Sequence, residues 1–104
     1  ENLRFLNADQ ALRDLAYFLK QMSKGGQFKI TPKNPWITIG GSYPGALSAW
    51  FRNKFPHLTI GALSSSGAVL AVEDFRMFDE QIYISSMKSG QYCANAIVDV
   101  TTYV

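Results

Sequence analysis

One ten-residue stretch constrains the fold of this chain more than any other. Trp36-Ile37-Thr38-Ile39 is apolar and β-branched, is preceded by Pro35, and runs straight into Gly40-Gly41-Ser42-Tyr43-Pro44-Gly45. A run of this kind closed by glycine predicts a buried strand and a sharp turn. The next segment has helical spacing: Leu47, Trp50 and Phe51 share a face from Pro44 to Phe55, Arg52 and Lys54 turn away, and Pro56 ends the helix. Leu58 to Leu63 predicts a second strand, and Ser64-Ser65-Ser66-Gly67 a loop.

A helix is also predicted ahead of the first strand, over residues 7–22. Ala11, Leu12, Leu15, Ala16, Phe18, Leu19 and Met22 recur at its spacing. Asn7 suits the N-cap, with Gln10 where a capping box places Glu or Gln. Gly25-Gly26 stops the helix. Helix, strand, turn, helix and strand in this order predict an α/β fold with a parallel sheet and crossover helices. From Glu73 to Val104 the pattern is helical, with Phe75, Phe78 and Ile82 on one face and Cys93, Ile97 and Val98 on another. The β-branched end, residues 97–104, also admits a strand.

A serine among glycines, after a strand and before a helix, fits the nucleophile elbow. The chemistry needs that shape. The turn lifts the serine hydroxyl clear of the sheet, Gly40 leaves room where helix and strand crowd, and the N–H of Tyr43 points at a developing oxyanion at the positive end of a helix. Pro44 departs from the simple G-x-S-x-G spacing, but it takes no donor from Tyr43 and suits a first helical turn. The same string also reads as a plain loop between two elements.

Composition narrows the function classes. The 104 residues carry 10 basic and 8 acidic side chains, a net charge of +2 that gives no footprint for nucleic acid or an anionic membrane. Apolar residues are 47% and charged residues 17%, which excludes disorder. One histidine and one cysteine leave no metal constellation and no internal disulfide. Leu58–Val72 is too short and too polar for a membrane span. There is no basic lead-in followed by an apolar core, so no signal peptide is expected within this chain.

Three longer strings carry a resemblance: LNADQALRDLAYF, then GGSYPGALSAWFRNKFPHLTIGALSSSGAV, then Asp74-Phe75 and the later Cys93. From about Leu3 to about Cys93 the chain resembles the serine peptidase family that includes lysosomal Pro-Xaa carboxypeptidase, dipeptidyl peptidase II and thymus-specific serine protease. Gly67-Ala68 is a mild departure, since that family usually has a proline near this point. The resemblance implies an α/β-hydrolase domain over residues 1–72 and the start of a helical inserted domain over residues 73–104. It implies Ser42 as nucleophile, Tyr43 as an oxyanion-hole N–H, and Cys93 as half of a disulfide whose partner lies outside the chain. It implies a serine exopeptidase, either carboxypeptidase or dipeptidyl peptidase, that cleaves peptides next to a proline near a terminus. No cofactor is implied. Lysosomal, vacuolar or secreted localisation and a homodimer of the full-length protein are implied by the same likeness.

An α/β-hydrolase triad runs Ser, then Asp or Glu, then His. On that order both partners of Ser42 are expected after Val104, and the first strands before Glu1, so the chain reads as an inactive central fragment. His57 is a poor base for Ser42, because the helix between them places it about 17 Å away. Asp74, Asp79 and Glu80 read as a solvated helix face. Ser64, Ser65 and Ser66 end a parallel strand on the side where such sheets build their sites, and shape the pocket or form a polar loop. Cys93 reads equally as a small buried residue. Trp36, Trp50 and Phe51 are expected in the core. Two other readings stay open: a different α/β-hydrolase activity such as an esterase or lipase, and a non-catalytic truncated paralogue.

Overall fold

The structure is a computed structural model and describes residues 2–103. The chain divides between Leu70 and Ala71 into two compact units.

In the first unit, a 3₁₀ turn over Asn2–Phe5 leads to helix α1, Ala8–Met22. Asn7 caps α1, its side-chain oxygen accepting the N–H of Gln10 at 2.8 Å. The reciprocal half of the capping box does not form, because the Gln10 amide donates forward to Asp14 at 2.8 Å. Leu12, Ala16 and Leu19 are buried, one stripe at helical spacing. Phe18 and Ala11, expected with them, face outward. Seven residues apart, they lie together on one flank of that stripe, about 100–120° from Leu12 by helix geometry, outside the strip that packs on the neighbouring helix.

Strand β1 (Ile37–Gly41), helix α2 (Tyr43–Lys54) and strand β2 (Gly61–Ser65) come next. The strands pair in parallel, Ile37 opposite Gly61 through Gly41 opposite Ser65. Helix α2 is the crossover between them, as the alternation of elements predicts. Phe51 of α2 is fully buried against Leu12, Ala16 and Leu19, with Leu15, Trp36, Leu47, Trp50, Phe55 and Leu58 around them. Burying Phe51 alone contributes about 1.5–3 kcal/mol. Trp36 and Trp50 sit half-buried at its margin. Trp36 Nε1 donates to Ser23 Oγ at 3.2 Å. Lys54 of α2 pairs with Asp9 of α1, which also holds Arg13 at 2.7 Å.

Two expectations are corrected here. The first strand is not buried: Ile37 is 57% and Ile39 74% exposed. A sheet of two strands leaves one face and both edges uncovered. The second strand begins at Gly61 and takes in Ser64 and Ser65 instead of spanning Leu58 to Leu63. Arg52 is the cause. Its guanidinium donates to the carbonyls of Pro56 and Thr59, the latter at 2.6 Å, and holds residues 56–59 in a turn. The ladder starts only where the N–H of Ile60 meets the carbonyl of Trp36 at 2.8 Å.

The second unit is a pair of helices, α3 (Met77–Met87) and α4 (Gln91–Thr102), joined through Gly90 at φ 103°. Ile82, Tyr83 and Ser86 of α3 share a groove with Ala94, Ile97 and Val98 of α4. Ala94 is buried and Cys93 is half-buried. Phe75 and Phe78 pack on each other, ring centroids 6.4 Å apart, and stay exposed. The β-branched end is helical to Thr102. Its threonines lose little there, since Thr101 Oγ1 bonds the carbonyls of Ile97 and Val98, and Thr102 Oγ1 that of Val98. Among the described residues no helix is long and apolar enough to cross a membrane.

Candidate active site

Ser42 stands between the end of β1 and the first turn of α2, with φ 59° and ψ −128°. A side chain at positive φ costs on the order of 1–3 kcal/mol and persists only where its surroundings hold it. The holding contacts are backbone ones. The N–H of Ser42 donates to the carbonyl of Ser65 at 3.0 Å, and its carbonyl accepts the N–H of Ala46 at 3.1 Å, closing the first turn of α2. The strand therefore hands the chain to the helix within a single residue. Ser42 is exposed, and its hydroxyl makes no capping bond to the helix it starts. That oxygen is left for another partner.

Two glycines make the turn possible by lacking a Cβ. On Gly40 a Cβ would fall inside the carbonyl of Pro44 and 2.8 Å from the Gly45 nitrogen. On Gly45 it would lie 2.8 Å from the Ser65 carbonyl oxygen and 3.0 Å from that of Gly40. Strand, helix and the end of β2 meet here with no space for a methyl group. A part-buried side-chain bond spans the two arms of the turn further in, Ser48 Oγ to Thr38 Oγ1 at 2.9 Å.

Tyr43 occupies the first position of α2, where a helical N–H has no partner within the helix and the dipole is positive. Pro44 comes second in that first turn, where its missing N–H costs nothing. The Tyr43 ring meets Trp50 edge-on, with centroids 6.3 Å apart. An exposed hydroxyl beside an N–H with no partner inside its own helix is an arrangement suited to acyl transfer.

The chain matches, over residues 1–104, the family described as serine carboxypeptidase S28. It belongs to the serine carboxypeptidase S28 family. It is 47% identical over 102 residues to a probable serine protease of Arabidopsis thaliana, covering 93% of this chain and 20% of that protein. It is 37% identical over 99 residues to lysosomal Pro-X carboxypeptidase of Homo sapiens, covering 92% of this chain and 20% of the relative. Thymus-specific serine protease of Homo sapiens is 41% identical over 88 residues, 85% of this chain and 17% of its own. The chain thus spans about a fifth of the length of the curated relatives it matches.

The other site residues read from the sequence of this S28 member fall elsewhere. His57 is exposed in the turn beyond the far end of α2, edge-on to Phe55 with ring centroids 6.4 Å apart. Ser42 begins that helix, so the two stand at opposite ends of it. Cys93 lies half-buried on α4 of the second unit. Asp74 is exposed and paired with Arg76 at 2.7 Å. Asp79 and Glu80 lie in the first turn of α3, where negative charge favours a helix. Among the described residues no group of three or more His, Cys, Asp or Glu side chains is placed to hold a metal.

Sequence reasoning placed residues 64–66 at the site edge of the sheet but missed the backbone part played by Ser65. Ser64 and Ser65 are strand residues beside Gly40 and Gly41, and the carbonyl of Ser65 anchors Ser42. The signal was the register. A strand that starts late, because residues 56–59 are turned by Arg52, carries its end up to the level of Ser42.

Proposed function

We propose that the protein to which this segment belongs is a serine-type exopeptidase that cleaves next to a proline near a peptide terminus. The observation that carries this reading is Ser42, exposed at φ 59° between a parallel strand and a helix. Membership of a serine carboxypeptidase family supports it. A relative named as a Pro-X carboxypeptidase supports the proline preference. Residues 1–72 are taken as the strand–elbow–helix–strand part of an α/β-hydrolase domain, and residues 73–104 as the start of its helical insertion.

In this mechanism the Oγ of Ser42 attacks the carbonyl carbon beside the scissile bond. Its proton passes to a histidine, oriented by an aspartate, both supplied by other parts of the longer polypeptide. The N–H of Tyr43 stabilises the tetrahedral oxyanion. The C–N bond breaks as the histidine returns the proton to the leaving amine, and water then hydrolyses the acyl ester. No metal or organic cofactor takes part. The protein acts on peptides, not nucleic acid, as a homodimer in a lysosomal, vacuolar or secreted setting. Cys93 forms a disulfide with a cysteine elsewhere in the longer chain.

Fluorophosphonate labelling of the full-length protein, with subsequent digestion without reduction, tests these assignments together. The expected result is a phosphonylated peptide containing Ser42 and a peptide of Cys93 joined to a second cysteine. An unlabelled Ser42 peptide would remove the nucleophile assignment, and a free Cys93 thiol would remove the disulfide. Hydrolysis of acyl esters with no hydrolysis of Xaa-Pro peptides would turn the reading to an esterase. The 104 residues alone, lacking histidine and aspartate partners for Ser42, are expected to turn over no proline-containing peptide. Turnover by the isolated segment that is lost on Ser42→Ala would overturn that expectation.

A further inference from the structure

Both parallel strands end on a serine held at positive φ. Gly41 and Ser65 are the last register pair of β1 and β2. The next residue on each strand is Ser42, at φ 59°, and Ser66, at φ 48°. The two serines therefore occupy the same step beyond the ladder, at the carboxyl edge of the sheet, where open parallel sheets bind their ligands.

Nothing in the local chain asks for a side chain at position 66. A serine in the left-handed region costs roughly 1–2 kcal/mol that a glycine avoids. The glycine stands one residue later, and Gly67 is not at positive φ. Its smallness serves packing, since a Cβ there would come within 3.1 Å of the Ala46 nitrogen. Ser66 is exposed, and among the described residues no side-chain hydrogen bond reaches its hydroxyl. Its position is firmly set all the same. Ser65, one peptide bond away, accepts the N–H of Ser42 at 3.0 Å and lies against Gly45. An unpaired hydroxyl, held in a strained backbone beside the elbow, fits a group whose partner arrives from outside.

We propose that Ser66 is a substrate-binding residue: its hydroxyl hydrogen-bonds the backbone of the peptide whose carbonyl Ser42 attacks. The proposal rests on the acyl-transfer reading of Ser42. It assigns the end of β2 to one wall of the peptide site, with a donor and acceptor in one group.

The test compares the full-length protein with its Ser66→Gly and Ser66→Ala variants, by hydrolysis of a proline-containing peptide, by the rate of fluorophosphonate labelling, and by thermal unfolding. Ser66→Gly relieves the positive φ, so its melting temperature is expected to equal or exceed that of the wild type. Losing one neutral hydrogen bond is expected to lower kcat/KM for the peptide about tenfold in both variants. The small phosphonate, which has no peptide backbone, is expected to label Ser42 at the wild-type rate. Unchanged kcat/KM in both variants would overturn the assignment. So would a labelling rate that falls in step with hydrolysis, since Ser66 would then shape the elbow and not hold the peptide. If the wild type neither labels at Ser42 nor hydrolyses peptide, the acyl-transfer reading itself has failed.

Discussion

Ser42→Ala in the full-length protein is expected to lower kcat for peptide hydrolysis by at least about 10⁴-fold, the scale seen when an acyl-transfer nucleophile is removed. The effect is expected in kcat and not in KM, because the hydroxyl acts on the carbonyl carbon while binding is distributed over the rest of the site. Folding is expected to be little changed. Ser42 is exposed, its hydroxyl caps nothing, and the bonds that hold it at φ 59° are made by its N–H and carbonyl, which alanine retains. Steady-state kinetics and thermal unfolding of both proteins check this. Residual turnover within about tenfold of wild type would exclude Ser42 as nucleophile.

Gly40→Ala is expected to do the opposite, harming the fold before it harms the chemistry. The added methyl group would overlap the carbonyl of Pro44, a backbone atom in the first turn of α2, with the Gly45 nitrogen 2.8 Å away. A flexible side chain would swing aside, but a helix terminus tied to Ser65 through Ser42 does not. Relief requires α2 to move off β1, which would break the Ser48–Thr38 bond at 2.9 Å. Overpacking and the lost part-buried hydrogen bond together place the cost at about 3 kcal/mol. Denaturant unfolding of the full-length variant measures it. A midpoint equal to that of the wild type would mean that strand and helix are less tightly joined at the elbow than this geometry states.

The parts of this architecture that were legible in the sequence are those set by local chemistry. Asn7 caps α1 because its side chain reaches the third N–H of its own helix. The strand, elbow and helix are encoded by a β-branched run, paired glycines and a proline placed where a helix tolerates one. The start of β2 was not legible, because it depends on where the Arg52 side chain finds acceptors, and no propensity encodes that. Phe18 was misplaced because periodicity marks an apolar stripe without saying how wide a strip the neighbouring helix covers. Serine at positive φ has no composition signal either. The sequence placed Ser66 at the site edge, but its standing level with Ser42 at positive φ comes from the register of β2 against β1.

The uncovered sheet has a consequence for handling the segment by itself. Among the described residues each strand has one paired neighbour, so each outer edge presents a row of backbone donors and acceptors, with Ile37, Ile39 and Leu63 exposed nearby. Such a surface recruits whatever strand comes next, including one from another copy of the same polypeptide. Self-capture of this kind scales with encounter frequency. For the segment alone, dilution should therefore govern how long it stays dispersed more than temperature does.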